Sequence, residues 1–237
     1  MIDEWADAVV AAERISLRTI KEFADLSDDV LGRIELAAVV HDLPEETVIF
    51  YEKTDPRYLH AVLEGHVALS STALHNATVT EILGPGCLFV LAAVLGDKPY
   101  MVTARTLARS TIAQIDASWL RAEMKTELRL FEAMVAALSR HDRMLVYRLA
   151  ELKLRSAGQR LGCYLLRLSK EQGSARKVRL PCTKSMLAAH LGMAPEHLSR
   201  AFVTLQGCGV VTQGPIVNLN DPFALASFAK PEEEFAG

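Results

Sequence analysis

The spacing of apolar positions changes character along this chain and divides it into a β-rich front, a long helix and a compact helical end. Up to Phe23 the apolar residues recur at helical intervals. Ser27 then stands where an N-cap would for a short helix through Val30, Leu31, Ile34 and Leu36, all read as core positions. From Thr47 to about Ile115 the texture becomes one of short β-branched runs: Thr47-Val48-Ile49-Phe50-Tyr51, His66-Val67-Ala68-Leu69, Ala77-Thr78-Val79-Thr80 and Ser110-Thr111-Ile112-Ala113. Gly65, Gly84-Pro85-Gly86 and Gly96 divide them. Short strands at near-regular spacing predict a compact antiparallel barrel.

Past Trp119 the pattern is helical for about thirty residues, with neither proline nor glycine before Gly158. Phe131, Val135, Leu138, Asp142, Leu145, Leu149 and Leu152 alternate spacings of four and three, the a and d positions of a coiled-coil seam. A helix of that length spans about 45 Å, more than a small barrel can cover. The stripe is therefore expected to meet a second copy in a parallel dimer, with Asp142 as the polar interruption that sets register; the alternative is that it packs wholly on its own barrel. A second amphipathic helix through Leu161, Leu165, Leu166 and Leu168 ends at Glu171-Gln172-Gly173, followed by a turn at Ser174-Ala175-Arg176-Lys177. Two short helical patterns around a tight turn come next, then Gly207 and Gly209, and two β-rich runs around Gly214-Pro215. That order is a winged helix-turn-helix. The expected class is α+β, with a barrel domain over 1–118, a dimerisation helix over 119–153 and a DNA-binding domain over 154–237.

Charge supports the division. Residues 1–153 carry 16 Lys+Arg against 23 Asp+Glu, a net −7, whereas 154–230 carry 10 against 3, a net +7, and three tail glutamates bring the total to −3. Only the C-terminal third suits a polyanion. No uncharged apolar run reaches the roughly 18 residues of a membrane span, and Met1-Ile2-Asp3-Glu4-Trp5 opens with acids where a secretory signal has bases, so a cytoplasmic protein is expected. Cys87, Cys163, Cys182 and Cys208 form no C-x-x-C pair and read as free thiols, with Cys182 the first candidate for a redox switch. Phosphate loops, nucleophile elbows and H-E-x-x-H helices are absent from the sequence, and no enzyme activity is expected.

The residues that suit DNA lie between Thr183 and Leu205. Thr183 is placed to cap one helix, with Lys184 following it, and Gly192 can take the left-handed conformation that ends that helix. Pro195 suits the first turn of the next. Leu198, Phe202 and Leu205 bury one face of that helix, which leaves Glu196, Ser199 and Arg200 on the other, beside His197. A guanidinium can give two hydrogen bonds to guanine, a carboxylate can accept from the cytosine amino group, and a hydroxyl can approach either. The competing reading is an ordinary surface ion pair between Glu196 and Arg200.

These motifs resemble the superfamily of the cyclic-AMP receptor protein and the fumarate-nitrate reduction regulator (CRP/FNR). The likeness runs from about Phe23 to about Phe228. It is most specific in Val62-Leu63-Glu64-Gly65-His66-Val67 with Ile82-Leu83-Gly84-Pro85-Gly86, in Leu161-Gly162-Cys163-Tyr164-Leu165-Leu166-Arg167-Leu168, and in the helix-turn-helix. The resemblance implies a homodimer on palindromic double-stranded DNA, with RNA polymerase as a further partner. Glu196-His197-Leu198-Ser199-Arg200 matches the Glu-x-x-Ser-Arg form of the fumarate-nitrate branch, which implies TTGA-type half-sites. The effector pocket implied by the resemblance comprises Val90, Leu91, Tyr100, Met101, Leu145 and Val146. Val90-Leu91 stands where nucleotide-binding members have Gly-Glu, Tyr100-Met101 where they have the phosphate-binding Arg-Ser, and Leu145-Val146 where they have a Thr-Ser pair, so cyclic AMP is not expected. Nor is an iron–sulfur cluster, since no cysteine precedes Cys87. What remains resembles the dissimilative nitrate respiration regulators, which makes haem a candidate cofactor and nitric oxide a candidate signal, with His41, His60, His66, His75 and His141 as conceivable iron ligands and no spacing to single one out. Thiol control and effector-independent action on the same fold are the alternatives.

Overall fold

The computed structural model describes residues 16–72 and 78–231, and the chain divides into two compact units, Met1–His141 and Asp142–Gly237. The first fifteen residues, His75 and Ala77 lie outside the described part, and with them most of the helix expected before Phe23. Leu17–Thr19 and Lys21–Phe23 are short 3-10 turns. They bury Leu17, Ile20 and Phe23. Ser27 caps α1 (Asp28–Ala37) as expected, its hydroxyl accepting from the Val30 amide at 3.4 Å. Leu36, expected in the core, is 88% exposed. It lies off the stripe of Val30, Leu31 and Ile34, which carries the burial.

Among the described residues eight strands follow: β1 (Ala38–Leu43), β2 (Val48–Phe50), β3 (Tyr58–Glu64), β4 (Val67–Ser71), β5 (Thr78–Leu83), β6 (Leu88–Phe89), β7 (Thr103–Thr106) and β8 (Ser110–Asp116), with α2 (Leu91–Gly96) between β6 and β7. They form two antiparallel sheets, in the orders β1-β8-β3-β6 and β2-β7-β4-β5. Leu43, Val62 and Ile112 of the first sheet meet Phe50, Val67, Leu69, Leu83 and Ala104 of the second in one core. The opposite face of the first sheet, Leu59, Ala61, Ala113 and Ile115, is covered by helices in a second core. Strands buried on both faces lose the apolar–polar alternation of a half-exposed strand. Gly65 sits between β3 and β4 at φ +81°, where a Cβ would lie 2.6 Å from the Arg109 carbonyl oxygen, so only glycine fits this turn.

The helix expected from Trp119 is two helices. α3 (Ala117–Glu123) ends at a break, and α4 (Leu128–Leu154) then runs for 27 residues. Arg33 spans the break, reaching Glu123 at 2.7 Å and Glu127 at 3.0 Å. α4 is apolar on two stripes. Leu130, Met134 and Ala137 are buried in the core of the first unit, while Phe131, Val135, Leu138, Leu145, Leu149 and Leu152 are each between 36% and 53% exposed. The heptad stripe and the barrel-packing stripe are thus different residues.

The second unit contains α5 (Ala157–Glu171), β9 (Lys177–Arg179), α6 (Lys184–His190), α7 (Pro195–Gln206), β10 (Val210–Gln213), β11 (Ile216–Leu219) and α8 (Pro222–Ala229). The strands pair in the order β10-β11-β9. Ser156 and Gln159 close a reciprocal capping box on α5. Leu161, Leu165 and Leu168 of α5 pack with Leu187, Leu198, Phe202, Leu205, Val217 and Leu225 in a single core. Between α4 and α5, Arg155 pairs with Glu151 at 3.4 Å and donates to the Ala229 carbonyl and to Cys163 Sγ, tying helix ends together.

Candidate functional site

The geometry of α6 and α7 follows from local chemistry. Thr183 Oγ1 accepts from the Met186 amide at 3.3 Å and starts α6. Gly192 adopts φ +63°, and a Cβ there would approach Leu152 Cδ2 to 2.6 Å, so the tight turn is built for glycine. Pro195 occupies the first turn of α7. Leu198, Ala201, Phe202 and Leu205 are buried on one side. Glu196, His197, Ser199 and Arg200 are all exposed on the rest of the helix.

Among the described residues, the side chains of Glu196, His197 and Arg200 make no hydrogen bond or ion pair, so the competing Glu196–Arg200 surface pair is not formed. Ser199 Oγ donates to the Pro195 carbonyl at 3.1 Å, a local bond that leaves its lone pairs open. Lys184 and Thr183 are exposed at the start of α6. The Lys184 ammonium sits 5.1 Å from the Phe202 ring centroid, a cation–π contact between the two helices. One residue was missed by sequence reasoning. Val203 continues the stripe of Glu196, Ser199 and Arg200 by one turn and is 63% exposed. The i, i+3, i+4, i+7 spacing from Glu196 through Ser199 and Arg200 to Val203 is the sequence signal for it. Cys182, half-buried just before α6, has its thiol pushed up to about 11 by burial, which keeps it protonated and a poor nucleophile.

The expected pocket residues have unlike surroundings within their own units. Val90 takes a left-handed conformation at φ +59°, unusual for a β-branched residue, at the start of α2. Leu91 is buried among the helices that cover the first sheet. Tyr100 lies inside the barrel core, whereas Met101 is 84% exposed. Leu145 and Val146 are exposed residues of the second unit.

Aromatic rings fill the barrel interior. Phe50 stacks on Tyr100 with centroids 4.0 Å apart, and His60 lies 5.0 Å from Phe50 and 5.2 Å from Phe89. Burial, assisted by the charge of nearby His41, pushes His60 down to about 3, so its imidazole is neutral. Its Nε2 faces the Gln114 amide at 3.2 Å, and its Nδ1 is buried without a hydrogen-bond partner. The interior also holds His41, Gln114 and Glu81, and no lysine or arginine is among the buried described residues. A cyclic phosphodiester buried here would lack the guanidinium or ammonium partner that offsets its desolvation, so the buried residues present do not fit a cyclic nucleotide. Haem does not fit at His60, where a porphyrin would have to displace the rings packed against the imidazole. His66 is half-buried at a turn, His141 is exposed on α4 and His75 lies outside the described residues.

Two family models match the chain: the cyclic nucleotide-binding domain over residues 40–127 and the Crp-like helix-turn-helix domain over residues 159–228. Among solved structures, a provisionally described cAMP-binding regulatory protein of Silicibacter pomeroyi is 25% identical, with a TM-score of 0.68 over 91% of this chain and 97% of that one. FixK2 of Bradyrhizobium japonicum is 18% identical, with a TM-score of 0.73 over 81% and 96% of the two chains. The c-di-GMP-responsive regulator CLP of Xanthomonas campestris is 20% identical, with a TM-score of 0.68 over 81% and 99%. At those identities the last two establish a shared fold. Comparison with curated protein sequences found no match. Among the described residues, no helix is long and apolar enough to cross a membrane.

Proposed function

The chain belongs to the CRP/FNR superfamily of transcriptional regulators, joining a cyclic nucleotide-binding domain to a Crp-like DNA-binding helix-turn-helix, and we propose that it acts in the cytoplasm as a parallel homodimer on palindromes with TTGA-type half-sites. The observation that carries this reading is the exposed stripe of Glu196, Ser199 and Arg200 on a helix whose opposite face is buried. Laid in the major groove, Arg200 donates two hydrogen bonds to guanine O6 and N7, Glu196 accepts from a cytosine amino group, and Ser199 fits close to a base edge. Val203 offers a methyl surface to a thymine methyl. Thr183 and Lys184 at the start of α6, with His197, face the phosphates and set register.

Two-fold symmetry comes from the exposed stripe of Phe131, Val135, Leu138, Leu145, Leu149 and Leu152, with Asp142 as its polar position. A symmetric dimer would place its recognition helices about 34 Å apart, one turn of DNA. RNA polymerase is the further partner of such a regulator, and a barrel with no lysine or arginine among its buried described residues speaks against cyclic AMP as the effector. The test is selection from a random duplex pool by the purified protein. Recovery of paired TTGA half-sites supports the reading; recovery of TGTGA half-sites, or of no consensus, refutes it.

A further inference from the structure

We propose that the barrel is filled by its own Tyr100, which takes the volume a small-molecule effector would need and leaves operator binding independent of any added ligand. Tyr100 lies within the segment matched by the cyclic nucleotide-binding family, and its ring is 3% exposed, stacked on Phe50 at 4.0 Å. Four hydrogen bonds hold it there. Its amide donates to the Thr54 carbonyl at 2.9 Å and its carbonyl accepts from the Lys53 amide at 2.6 Å. Its hydroxyl donates to the Tyr58 carbonyl at 2.9 Å and accepts from the Tyr58 amide at 3.4 Å. Backbone and side chain are thus fixed at both ends, while the neighbouring Met101 is exposed.

The chemistry around the ring agrees with a closed module. Phe50, Phe89 and His60 complete an aromatic wall, and the polar side chains inside include the neutral His60 imidazole, His41, the Gln114 amide and the Glu81 carboxyl. No lysine or arginine among the buried described residues is there to meet an anionic effector, and a neutral one would have to displace the stacked Tyr100 ring.

The experiment uses the full-length protein and two readouts. The second readout rests on the DNA-binding reading above, and the first does not. In thermal unfolding, Tyr100→Ala opens an apolar cavity on the order of 100 Å³, a size that accepts small aromatics. Phenol should raise its midpoint by about 5 °C at saturation, and should leave the wild type and Tyr100→Phe unchanged. In fluorescence anisotropy, wild type and Tyr100→Phe should bind a TTGA palindrome without additive and within about two-fold of each other, and cyclic AMP or cyclic di-GMP should not change the wild-type affinity. Tyr100→Ala should bind at least tenfold more weakly, with phenol restoring it. A wild-type midpoint or operator affinity raised by either nucleotide overturns the proposal, even if Tyr100→Ala fails to fold. So does a folded Tyr100→Ala that ignores phenol in the unfolding assay. If no variant binds the palindrome while phenol still rescues the unfolding midpoint, the DNA reading fails and the filled barrel stands.

Discussion

Replacing Leu145 and Leu149 together by alanine should break the dimer without unfolding the protomer. The two side chains are 50% and 53% exposed on α4. Full burial of a leucine stabilises by about 1.5–3 kcal/mol, so burying the remaining half contributes about 0.8–1.5 kcal/mol per copy. A two-fold seam uses every residue twice. Each substitution should therefore cost about 1.5–3 kcal/mol of dimerisation, and the pair about 3–6 kcal/mol, or roughly 10²- to 10⁴-fold in the dimer dissociation constant. Sedimentation velocity across a concentration series reads this directly. Met134→Ala is the control: its side chain is fully buried in the core of the first unit. It should lower unfolding stability by about 2–5 kcal/mol and leave the association constant unchanged. A double variant that dimerises as tightly as the wild type would refute the assignment of this stripe as the seam.

Two further outcomes follow from individual side chains. His60 titrates at about 3 in the fold against 6.5 for the free side chain, so its contribution is present above pH 6.5 and is lost as pH falls toward 3. Between pH 7 and pH 5 this costs on the order of 2 kcal/mol. Urea unfolding at the two pH values should show that loss reduced in His60→Leu but not abolished, because the half-buried His190 is lowered to about 3 as well, by desolvation and by nearby Arg148 and Arg167. For Val203, replacing each half-site thymine in turn by deoxyuridine should weaken wild-type binding several-fold at one position, and Val203→Ser should lose that sensitivity. Equal sensitivity in both proteins would remove Val203 from the interface.

How much was legible in the sequence depended on whether burial was one-sided. α6, its glycine turn and α7 announced themselves because Thr183, Gly192 and Pro195 are local signals and each helix buries one face. β3 and β8 are buried on both sides, so Leu59-His60-Ala61-Val62 carries no alternation, and β3 escaped detection. The break between α3 and α4 has no proline or glycine and is held by Arg33, 90 residues from Glu123 in sequence, beyond the reach of any local pattern. The inward turn of Tyr100 was hidden for the same reason. Its partners Thr54, Tyr58 and Phe50 lie more than forty residues away.

The most direct test of sequence-specific DNA binding is the affinity of Arg200→Ala for a TTGA palindrome and for scrambled DNA at fixed salt. Loss of one bidentate guanine contact costs about 1–3 kcal/mol per half-site. The variant should therefore bind the palindrome roughly 10²- to 10⁴-fold more weakly, while its salt-dependent affinity for scrambled DNA stays close to wild type. Unchanged affinity for the palindrome, or equal losses on both DNAs, would contradict the role given to α7.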